Sequence, residues 1–299
     1  MLGVLANQTG AGACPGRCNF ATITAEPADL SANMASGNNR TVSMALELRP
    51  LGRSQLKLSQ LGLGTVKLGR NTDVKYPAGF ELPSDEAVVE LLSEASRLGI
   101  NVLDTAPAYG HSEARLGDLL PRVSGQFQII TKVGETYDPT TGSHYDFSER
   151  AIQESLETSL KRLNRDQLDV VLLHSNGQDT EILEAGALDN LLKARDQGLI
   201  RAVGLSGKTV EGGQLALELG ADCLMITLNA NEQHERPLIE AAAAYQAGIL
   251  IKKALGSGHL ATDSQSQLRQ LFQDPRITSA IIGTTNLEHL RHNCAAFDE

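Results

Sequence analysis

Tryptophan is absent from this sequence, and tyrosine and phenylalanine together supply only 4% of its 299 residues. No apolar stretch reaches the roughly 18 residues needed to cross a bilayer, because charged residues such as Lys252 and Lys253 interrupt the longest runs. Acidic residues outnumber basic residues, and the resulting net charge of −10 argues against nucleic acid as a partner. The 41% of apolar and 21% of charged residues are typical of a globular protein with a full core and no membrane segment.

Cysteine is scarce, with four in the whole chain. Cys223 and Cys294 fall in predicted regular structure and are interpreted as reduced packing residues. Cys14 and Cys18 lie close together, but a structural metal site needs about four ligands, and no further cysteine occurs before Cys223. The pattern predicts neither a metal site nor a disulfide framework, so a reducing cytoplasm is the expected location.

Residues 1–43 differ from the remainder of the chain. They are rich in Ala, Asn, Gly, Ser and Thr, hold only four charged residues, and show no periodicity. The first residues lack the basic segment and apolar core of a secretory signal. This composition predicts a disordered extension, or else Met44 is the biological start. We therefore expect one catalytic domain at residues 44–299.

From Leu46 the pattern is regular. Residues 46–51 and 55–59 predict a β-hairpin around Gly52. Eight apolar strands follow, each succeeded by a helical pattern. The predicted strands are 62–66, 101–105, 128–133, 168–174, 202–206, 223–228, 249–252 and 280–282. The predicted helices are 84–98, 112–120, 148–163, 184–197, 210–219, 237–246, 264–273 and 287–296.

Eight such repeats predict an α/β fold, a (β/α)8 TIM barrel, with a doubly wound open sheet as the alternative. Residues that favour helix ends support these boundaries. The expected N-caps are Ser84, Ser148 and Asn286, and the expected left-handed C-terminal glycines are Gly99, Gly198, Gly220 and Gly248.

Four residues able to hold or move a proton follow the predicted strands. Asp104, Lys132 and His174 stand at strand ends, and Tyr109 lies five residues beyond Asp104. Because the C-terminal strand ends of a parallel barrel form one face, we expect these side chains to meet. Asp104 and Lys132 alone would be equally typical of a structural ion pair. With Tyr109 beside it, the Lys132 ammonium is expected to lower the phenol pKa and favour proton transfer.

These residues resemble the aldo-keto reductases over about residues 46–297. The likeness rests on residues 104–110 (DTAPAYG), Thr131-Lys132, Leu173-His174, residues 204–206 (GLS) and residues 283–293 (GTTNLEHLRHN). The resemblance implies a catalytic tetrad of Asp104, Tyr109, Lys132 and His174. Tyr109 would donate the proton, Lys132 and Asp104 would tune it, and His174 would orient the carbonyl. The hydride would come from a nicotinamide, and the hairpin would close the bottom of the barrel.

The resemblance also implies a dinucleotide site with phosphates bound after the seventh and eighth strands. The residues that correspond to it are Gly64, Thr65, Ser206, Gly207, Met225, Lys252, Leu255, Ser257, Gly283, Thr284, Asn286, His289 and Asn293. Three of them depart from the family pattern around the nicotinamide. Lys252 replaces the stacking aromatic residue, Met225 a glutamine, and Gly207 an asparagine.

The 2′-phosphate position departs as well, because Gly283 and His289 stand where NADPH-specific members commonly have lysine and arginine. A histidine that is mostly neutral at pH 7 is a weaker phosphate ligand than a guanidinium. Arg291, two residues further along the helix, would point away. NADP(H) is the expected cofactor by family resemblance, with NAD(H) or dual specificity as the alternative.

Aromatic residues collect in the first three loops that follow strands, where barrel enzymes form their pockets. They are Tyr76, Phe80, Tyr137 and Tyr145. We expect them to line a pocket for a small-molecule carbonyl substrate, unless these loops only pack on themselves. The pattern specifies neither the compound nor an oligomeric state. The alternative functions are a cofactor-bound sensor and a Schiff-base lyase that uses Lys132.

A chain that begins at Met44 is expected to fold and to keep its nicotinamide-dependent activity. The reason is that residues 1–43 carry no pattern of burial, whereas regular structure begins only after them. Thermal unfolding followed by circular dichroism should give a melting temperature within a few degrees of the full chain. If the shortened chain does not fold, the boundary at residue 44 is wrong.

Overall fold

Residues 46–74, 79–258, 260 and 263–298 are described by the computed structural model. Eight parallel strands close into a barrel in which each strand pairs with its neighbours in chain order. They are Leu61–Gly64 (β3), Val102–Asp104 (β4), Gln128–Val133 (β5), Leu168–His174 (β8), Ile200–Ser206 (β9), Cys223–Thr227 (β10), Gly248–Lys252 (β11) and Ile277–Ile282 (β12). The predicted TIM barrel is confirmed, and the open sheet is wrong because β9 pairs with β10 to close the ring.

The barrel is covered by helices in alternation with its strands. They are Val66–Gly69 (α1), Asp85–Arg97 (α2), Ser112–Leu119 (α3), Glu149–Leu163 (α4), Asp179–Glu184 (α5), Ala187–Asp196 (α6), Val210–Glu218 (α7), Leu238–Ala244 (α8), Ser264–Leu271 (α9) and Leu287–Cys294 (α10). The helix predicted near 184–197 is confirmed as α6, with a later start, whereas α5 was not predicted. Gly186 adopts a left-handed backbone (φ 83°) and separates α5 from α6.

Side chains alternate across each barrel strand, as the period of two requires. In β8, Val170 and Leu172 belong to a core cluster inside the barrel, whereas Val171 and Leu173 pack toward the helices. The inner cluster also holds Val102 of β4, Ile130 of β5 and Leu250 of β11. Residues two positions further along these strands therefore face the barrel mouth.

The N-terminal hairpin is confirmed with shorter strands, Leu48–Pro50 (β1) and Lys57–Ser59 (β2), in antiparallel register. Leu51, Leu56 and Leu58 enter the inner cluster, so the hairpin closes the barrel at the end opposite the mouth. Gly248 is not the helix cap predicted for it. It begins β11, where an added Cβ would lie 2.5 Å from the Leu51 side chain, and Gln246 takes the left-handed conformation instead (φ 54°).

A second hairpin, Glu135–Asp138 (β6) with Gly142–Tyr145 (β7), follows β5 where a long loop was predicted. Its residues are mostly exposed on both faces, so the segment has no apolar alternation that would reveal strands. The bounds 128–133 and 168–174 are confirmed. The strand predicted at 62–66 ends instead at Gly64, and Val66 begins α1.

Three predicted helix starts are confirmed by side-chain hydrogen bonds. Ser84 accepts from the backbone N–H of Ala87, and Ser148 accepts from that of Ala151. The Asn286 side chain accepts from two backbone N–H groups at the start of α10. Each cap satisfies donors that have no partner within the helix.

The cysteines and the possible membrane and metal sites are considered next. Cys223 and Cys294 are free and buried, as predicted. Over the described parts of the chain, no helix has the length and apolarity to span a membrane, and no three histidine, cysteine or acidic side chains are grouped to hold a metal. Residues 1–43, with Cys14 and Cys18, and also Tyr76 lie outside the described residues.

Gly110 ends the short turn Pro107–Tyr109 and holds it against α1. Its backbone has φ 61° and ψ −117°, and an added Cβ would lie 2.2 Å from the Gly69 carbonyl oxygen. Both the backbone strain and the clash oppose any side chain here. Gly110→Ala should lower the free energy of unfolding by roughly 2–4 kcal/mol, measured by urea denaturation.

Gly142→Ala is the matched control, because Gly142 also has a positive φ (83°) but no heavy atom within 4 Å of an added Cβ. It should cost only about 1 kcal/mol, the penalty of the backbone conformation alone. Equal losses for the two variants would mean that the contact with Gly69 does not restrict the turn.

Candidate active site

The alternation of the strands brings four polar side chains to the barrel mouth. Asp104, Lys132, His174 and Lys252 each stand two residues beyond an apolar residue of the inner cluster. Ser206 is aligned with His174 in the parallel register of β8 and β9. The mouth is thus lined by charged and polar groups directly above an apolar interior.

Lys132 is the centre of the site. Its Nζ donates to Asp104 Oδ1 at 2.7 Å, to the Thr105 carbonyl oxygen at 2.8 Å and to the Tyr109 hydroxyl at 3.2 Å. Lys132 is only 1% exposed and Asp104 4%. The Tyr109 ring meets the His174 ring edge-on, with centroids 6.2 Å apart. The structure therefore brings together the four side chains that the sequence singled out.

The protonation of Tyr109 differs from the prediction. Burial raises the pKa of this phenol, and although the Lys132 ammonium acts to lower it, the net shift is upward. The charge of Lys132 is visible in the sequence, whereas the loss of water around the Tyr109 hydroxyl depends on the fold. Tyr109 therefore carries its proton at neutral pH, as a proton donor must.

Lys132 keeps its charge although it is buried. Burial lowers the pKa of the ammonium, but Asp104 and Tyr109 outweigh burial and raise it. The site thus holds a permanent cation within hydrogen-bonding distance of the Tyr109 oxygen. Such a cation stabilises negative charge on that oxygen more than it would in water.

Glu135 is a member of the site that the sequence analysis missed. Its Oε2 lies 2.7 Å from His174 Nδ1, and its Oε1 accepts from Ser143 Oγ at 2.6 Å. Burial acts to raise the pKa of Glu135, but the hydrogen bonds of His174, Ser143 and Tyr145 lower it to about 2. Glu135 begins the hairpin that was read as a loop. A carboxylate three residues beyond Lys132 was the signal available in the sequence.

His174 is held as a neutral ring. Burial lowers the pKa of its imidazole, and the Lys132 and Lys252 ammonium groups act in the same direction, against Glu135. The ionised Glu135 faces Nδ1, so the ring proton belongs on that nitrogen. Nε2 then carries the lone pair.

The aromatic residues predicted to line the substrate pocket have different surroundings. Tyr137 donates to Asp73 Oδ2 at 2.8 Å and lies beneath the Arg70 guanidinium, 3.3 Å from its ring centroid. It thereby links the second hairpin to the segment after α1. Tyr145 hydrogen-bonds Glu135 and is stacked on Phe147. Tyr145 is therefore connected to the tetrad through Glu135, which contacts His174.

Phe80, the other aromatic residue of this set within the described residues, has the Lys67 ammonium 5.1 Å from its ring centroid. Burial lowers the pKa of Lys67. Lys67 belongs to α1, directly after β3, so this contact is on the mouth side of the barrel.

The residues predicted for the dinucleotide lie on or after five neighbouring strands, β9, β10, β11, β12 and β3. Gly64 ends β3 beside Gly283, and a Cβ on Gly64 would lie 3.6 Å from the Gly283 Cα. Thr65 Oγ1 donates to the Asp104 carbonyl oxygen at 2.9 Å. After β11, Leu255 is buried, and Ser257 adopts φ 56° in a turn between two glycines that also have positive φ.

The segment after β12 contains the other predicted contacts. Thr284 Oγ1 accepts from the Asn286 N–H at 3.1 Å, and Asn293 is buried on α10. His289 is exposed. Arg291 donates to Glu94 Oε1 at 2.6 Å, so it points away from the loop, as predicted.

The three departures around the nicotinamide position form one cluster. Lys252 Nζ donates to Ser206 Oγ at 3.2 Å, to the Met225 carbonyl oxygen at 3.3 Å and to the Gly207 carbonyl oxygen. The Met225 side chain is buried in the inner core, so only its carbonyl reaches the mouth. A Cβ on Gly207 would lie 3.0 Å from Asp179 Oδ2 and 3.1 Å from Leu205, which leaves little space for an asparagine.

A nicotinamide dinucleotide fits this set of residues. Glycines at positions 64 and 283 keep two adjacent strand ends free of side chains, so a bound molecule can approach the backbone. In the turn 256–258, the N–H groups of Gly256 and Gly258 donate to the carbonyl oxygens of Lys253 and Leu255, so the Ser257 N–H and hydroxyl are the groups of this turn that would meet a phosphate. Lys252 adds a cation where the ring would lie.

Comparisons with known proteins agree with this geometry. The sequence model of the aldo/keto reductase family matches residues 60–270. The structure is similar to that of PA4992 from Pseudomonas aeruginosa, with a TM-score of 0.77 and 46% identity over 86% of this chain and 98% of that chain. The sequence is 26% identical over 290 residues to the uncharacterized oxidoreductase YqkF of Bacillus subtilis (strain 168), covering 83% of this chain and 90% of that protein.

A shorter match is to the NADH-specific methylglyoxal reductase of Escherichia coli (strain K12), with 32% identity over 171 residues, 52% of this chain and 50% of that protein. The family match spans most of the barrel, from the start of β3 to α9. The chain therefore belongs to the aldo/keto reductase family and is an NAD(P)H-dependent oxidoreductase.

Proposed function

We propose that the protein reduces the carbonyl group of a small aldehyde or ketone, reversibly with oxidation of the alcohol, and that Tyr109 donates the proton. The observation that carries the proposal is the hydrogen-bonded series Asp104–Lys132–Tyr109 at the barrel mouth, with His174 beside it. This arrangement unites a protonated phenol with a buried cation that stabilises its conjugate base.

The bound cofactor supplies a hydride to the carbonyl carbon. The chain's own residues must then deliver a proton to the oxygen. Tyr109 loses its hydroxyl proton in this step, and the Lys132 ammonium, 3.2 Å from the phenol oxygen, stabilises the phenolate. Asp104 holds the ammonium in place and keeps it charged, so its role is to position Lys132.

His174 orients the substrate oxygen. With its proton on Nδ1 toward Glu135, the neutral ring accepts a hydrogen bond at Nε2, which suits a hydroxyl group. The oxygen that the neutral ring can hold is therefore the hydroxyl of the alcohol, the product of carbonyl reduction. Glu135 thus acts as a positioning residue for His174.

The proposed cofactor is NADP(H), with NAD(H) or dual specificity as the alternative. The residues that would hold it are the glycine-rich strand ends and loops described above, from Gly64 to Asn293. His289 would face the 2′-phosphate, where it offers one hydrogen bond and no permanent charge. The name of the Escherichia coli relative, an NADH-specific methylglyoxal reductase, supports the alternative.

The pocket wall is proposed to come from the loops after β3 and β5. Tyr145 supports it because it is bonded to Glu135, and Glu135 meets His174. Tyr145 and its neighbour Phe147 present apolar ring faces near groups that bind a substrate oxygen. A small carbonyl compound with a short apolar portion matches this combination.

A Schiff-base lyase has less support, since its lysine must be a neutral amine to attack a carbonyl. The pKa of Lys132 is raised, so it remains an ammonium at neutral pH. Borohydride should trap no covalent adduct at Lys132. A cofactor-bound sensor would retain nucleotide binding but show no turnover with a panel of aldehydes, ketones and sugars.

Tyr109→Phe should reduce the rate of carbonyl reduction by about 10²–10⁴-fold, because the variant keeps the ring but lacks the proton donor. Cofactor affinity should stay within a few-fold, since Tyr109 hydrogen-bonds Lys132 rather than the predicted cofactor residues. NAD(P)H oxidation with a reducible aldehyde measures the rate, and fluorescence titration measures the affinity.

The control for this variant is Tyr245→Phe, which removes a phenol at the end of α8, where the ring is exposed. It should leave the rate unchanged. A Tyr109→Phe enzyme that keeps more than about a tenth of the wild-type rate would exclude Tyr109 as the proton donor.

His289→Arg should raise the affinity for NADPH about ten- to a hundred-fold, because a guanidinium adds a permanent charge and two donors to the 2′-phosphate. The affinity for NADH, which lacks that phosphate, should barely change. Both dissociation constants are obtained by fluorescence titration.

His292→Arg adds the same charge on the same helix, but at a position whose ring contacts Gln265 of α9. It should have little effect on either cofactor. Equal gains for NADPH and NADH in His289→Arg, or no gain at all, would show that His289 does not face the 2′-phosphate.

A further inference from the structure

We propose that Lys252 makes the nicotinamide position discriminate between the two redox forms of the cofactor, so that the neutral reduced form binds more tightly than the cationic oxidised form. The inference rests on the proposed function, because it assumes that a nicotinamide ring lies over the barrel mouth. It concerns a residue of this chain that departs from the family pattern. Its physical basis is the charge of Lys252 and the groups around it.

The position of Lys252 is determined by the strand. Leu250 faces the barrel interior, so the side chain two residues later projects into the mouth. There the ammonium donates to Ser206 Oγ, the Met225 carbonyl and the Gly207 carbonyl. All three belong to residues that correspond to nicotinamide contacts. The ammonium is therefore held at the proposed ring site by contacts on two neighbouring strands.

The charge of this ammonium has no carboxylate partner at short range. Its three acceptors are neutral oxygens, and over the described residues no ion pair within 4.0 Å involves Lys252. The two carboxylates that act to raise the pKa of Lys252, Glu235 and Asp179, are hydrogen-bonded to other groups. Asp179 accepts from the backbone N–H groups of Lys208 and Thr209. Glu235 accepts from the N–H of Thr227.

A positive charge at this place acts differently on the two forms of the cofactor. The reduced nicotinamide ring is neutral, whereas the oxidised ring carries one positive charge. Two like charges a few ångströms apart in a half-buried site repel strongly, because water screens them poorly. An aromatic residue would have the opposite effect, since the face of its ring attracts a cation. An aromatic residue at this position would therefore favour the oxidised form, whereas Lys252 disfavours it.

The consequence for the enzyme is a bias in which form of the cofactor it holds. When hydride leaves the reduced ring for a carbonyl carbon, the ring becomes cationic, and Lys252 then weakens its binding. Release of the oxidised cofactor is favoured, and rebinding of it as a hydride acceptor is disfavoured. At equal cofactor concentrations, more of the enzyme therefore carries the reduced cofactor, which is the form that carbonyl reduction requires.

The experiment is a set of binding titrations without substrate. Wild type and Lys252→Met are each titrated with NADPH, NADP⁺, NADH and NAD⁺, followed by intrinsic tyrosine fluorescence or calorimetry. Lys252→Met should tighten binding of the oxidised forms by about ten-fold or more relative to the reduced forms, as expected when charge repulsion is removed. Lys252→Arg should retain the wild-type ratio.

Lys253→Met is the matched control. Lys253 is the next residue of the same turn, but its ammonium lies 3.6 Å from Glu232 and away from the three nicotinamide-site residues. Removing it subtracts the same charge from the protein. The ratio of oxidised to reduced affinity should stay at the wild-type value.

The wild-type protein offers a second test that needs no substitution. Burial lowers the pKa of Lys252 to about 8. The charged groups that face it are Asp179 of α5, Glu235 before α8, Lys253 beside it and Lys132 of β5, and His174 of β8 is also near. The preference for the reduced form should weaken as the pH rises from about 7 to about 9. In Lys252→Met it should not vary.

Three outcomes would overturn the proposal. An equal loss of affinity for both redox forms in Lys252→Met would make Lys252 a hydrogen-bond donor to the cofactor without redox preference. An unchanged ratio in the variant, together with a flat pH profile in wild type, would mean that the ammonium does not face the ring. If wild type binds none of the four nucleotides, the proposed function itself fails, and that result is distinct from the other two.

Discussion

The ammonium of Lys132 is almost fully buried, and an unpaired buried ammonium would cost several kcal/mol. The contacts that compensate it determine the geometry of the mouth. Asp104 supplies the counter-charge from the end of β4, and the Thr105 carbonyl and the Tyr109 hydroxyl supply two further acceptors. The turn that carries Tyr109 is thereby held against β5. Loss of either charged partner would leave a buried charge, so the arrangement serves both stability and chemistry.

The mouth contains a second cation, and the two differ in their surroundings. Lys132 is paired with a carboxylate and has a raised pKa, whereas Lys252 meets only neutral oxygens and has a pKa lowered to about 8. The first lies beside the proton donor, where it stabilises developing negative charge on oxygen. The second lies at the proposed ring site, where it opposes positive charge on the cofactor. The first effect assists proton delivery to the substrate oxygen, whereas the second favours binding of the reduced cofactor and release of the oxidised one.

Buried strands could be predicted from the sequence more accurately than exposed elements. The strands β5 and β8 were predicted to the residue, because they are buried apolar runs of β-branched residues and leucine. The hairpin β6–β7 and Glu135 within it were missed, since an exposed hairpin leaves no apolar alternation. The helix α5 was missed because its six residues are too few to show a helical period. The downward pKa shift expected for Tyr109 was wrong because burial, which a sequence does not state, exceeded the effect of Lys132.

The sequence by itself determined the class of fold and the candidate residues, because strand–helix repeats and strand-end polar residues are local patterns. It also revealed the replacement of an aromatic residue by Lys252. Only the tertiary structure decided which of these groups meet: that Glu135 reaches His174, and that Lys252 contacts Ser206, Gly207 and Met225. The physical reason is that hydrogen bonds and charge interactions depend on distances of a few ångströms between distant parts of the chain. Closure of the barrel sets those distances.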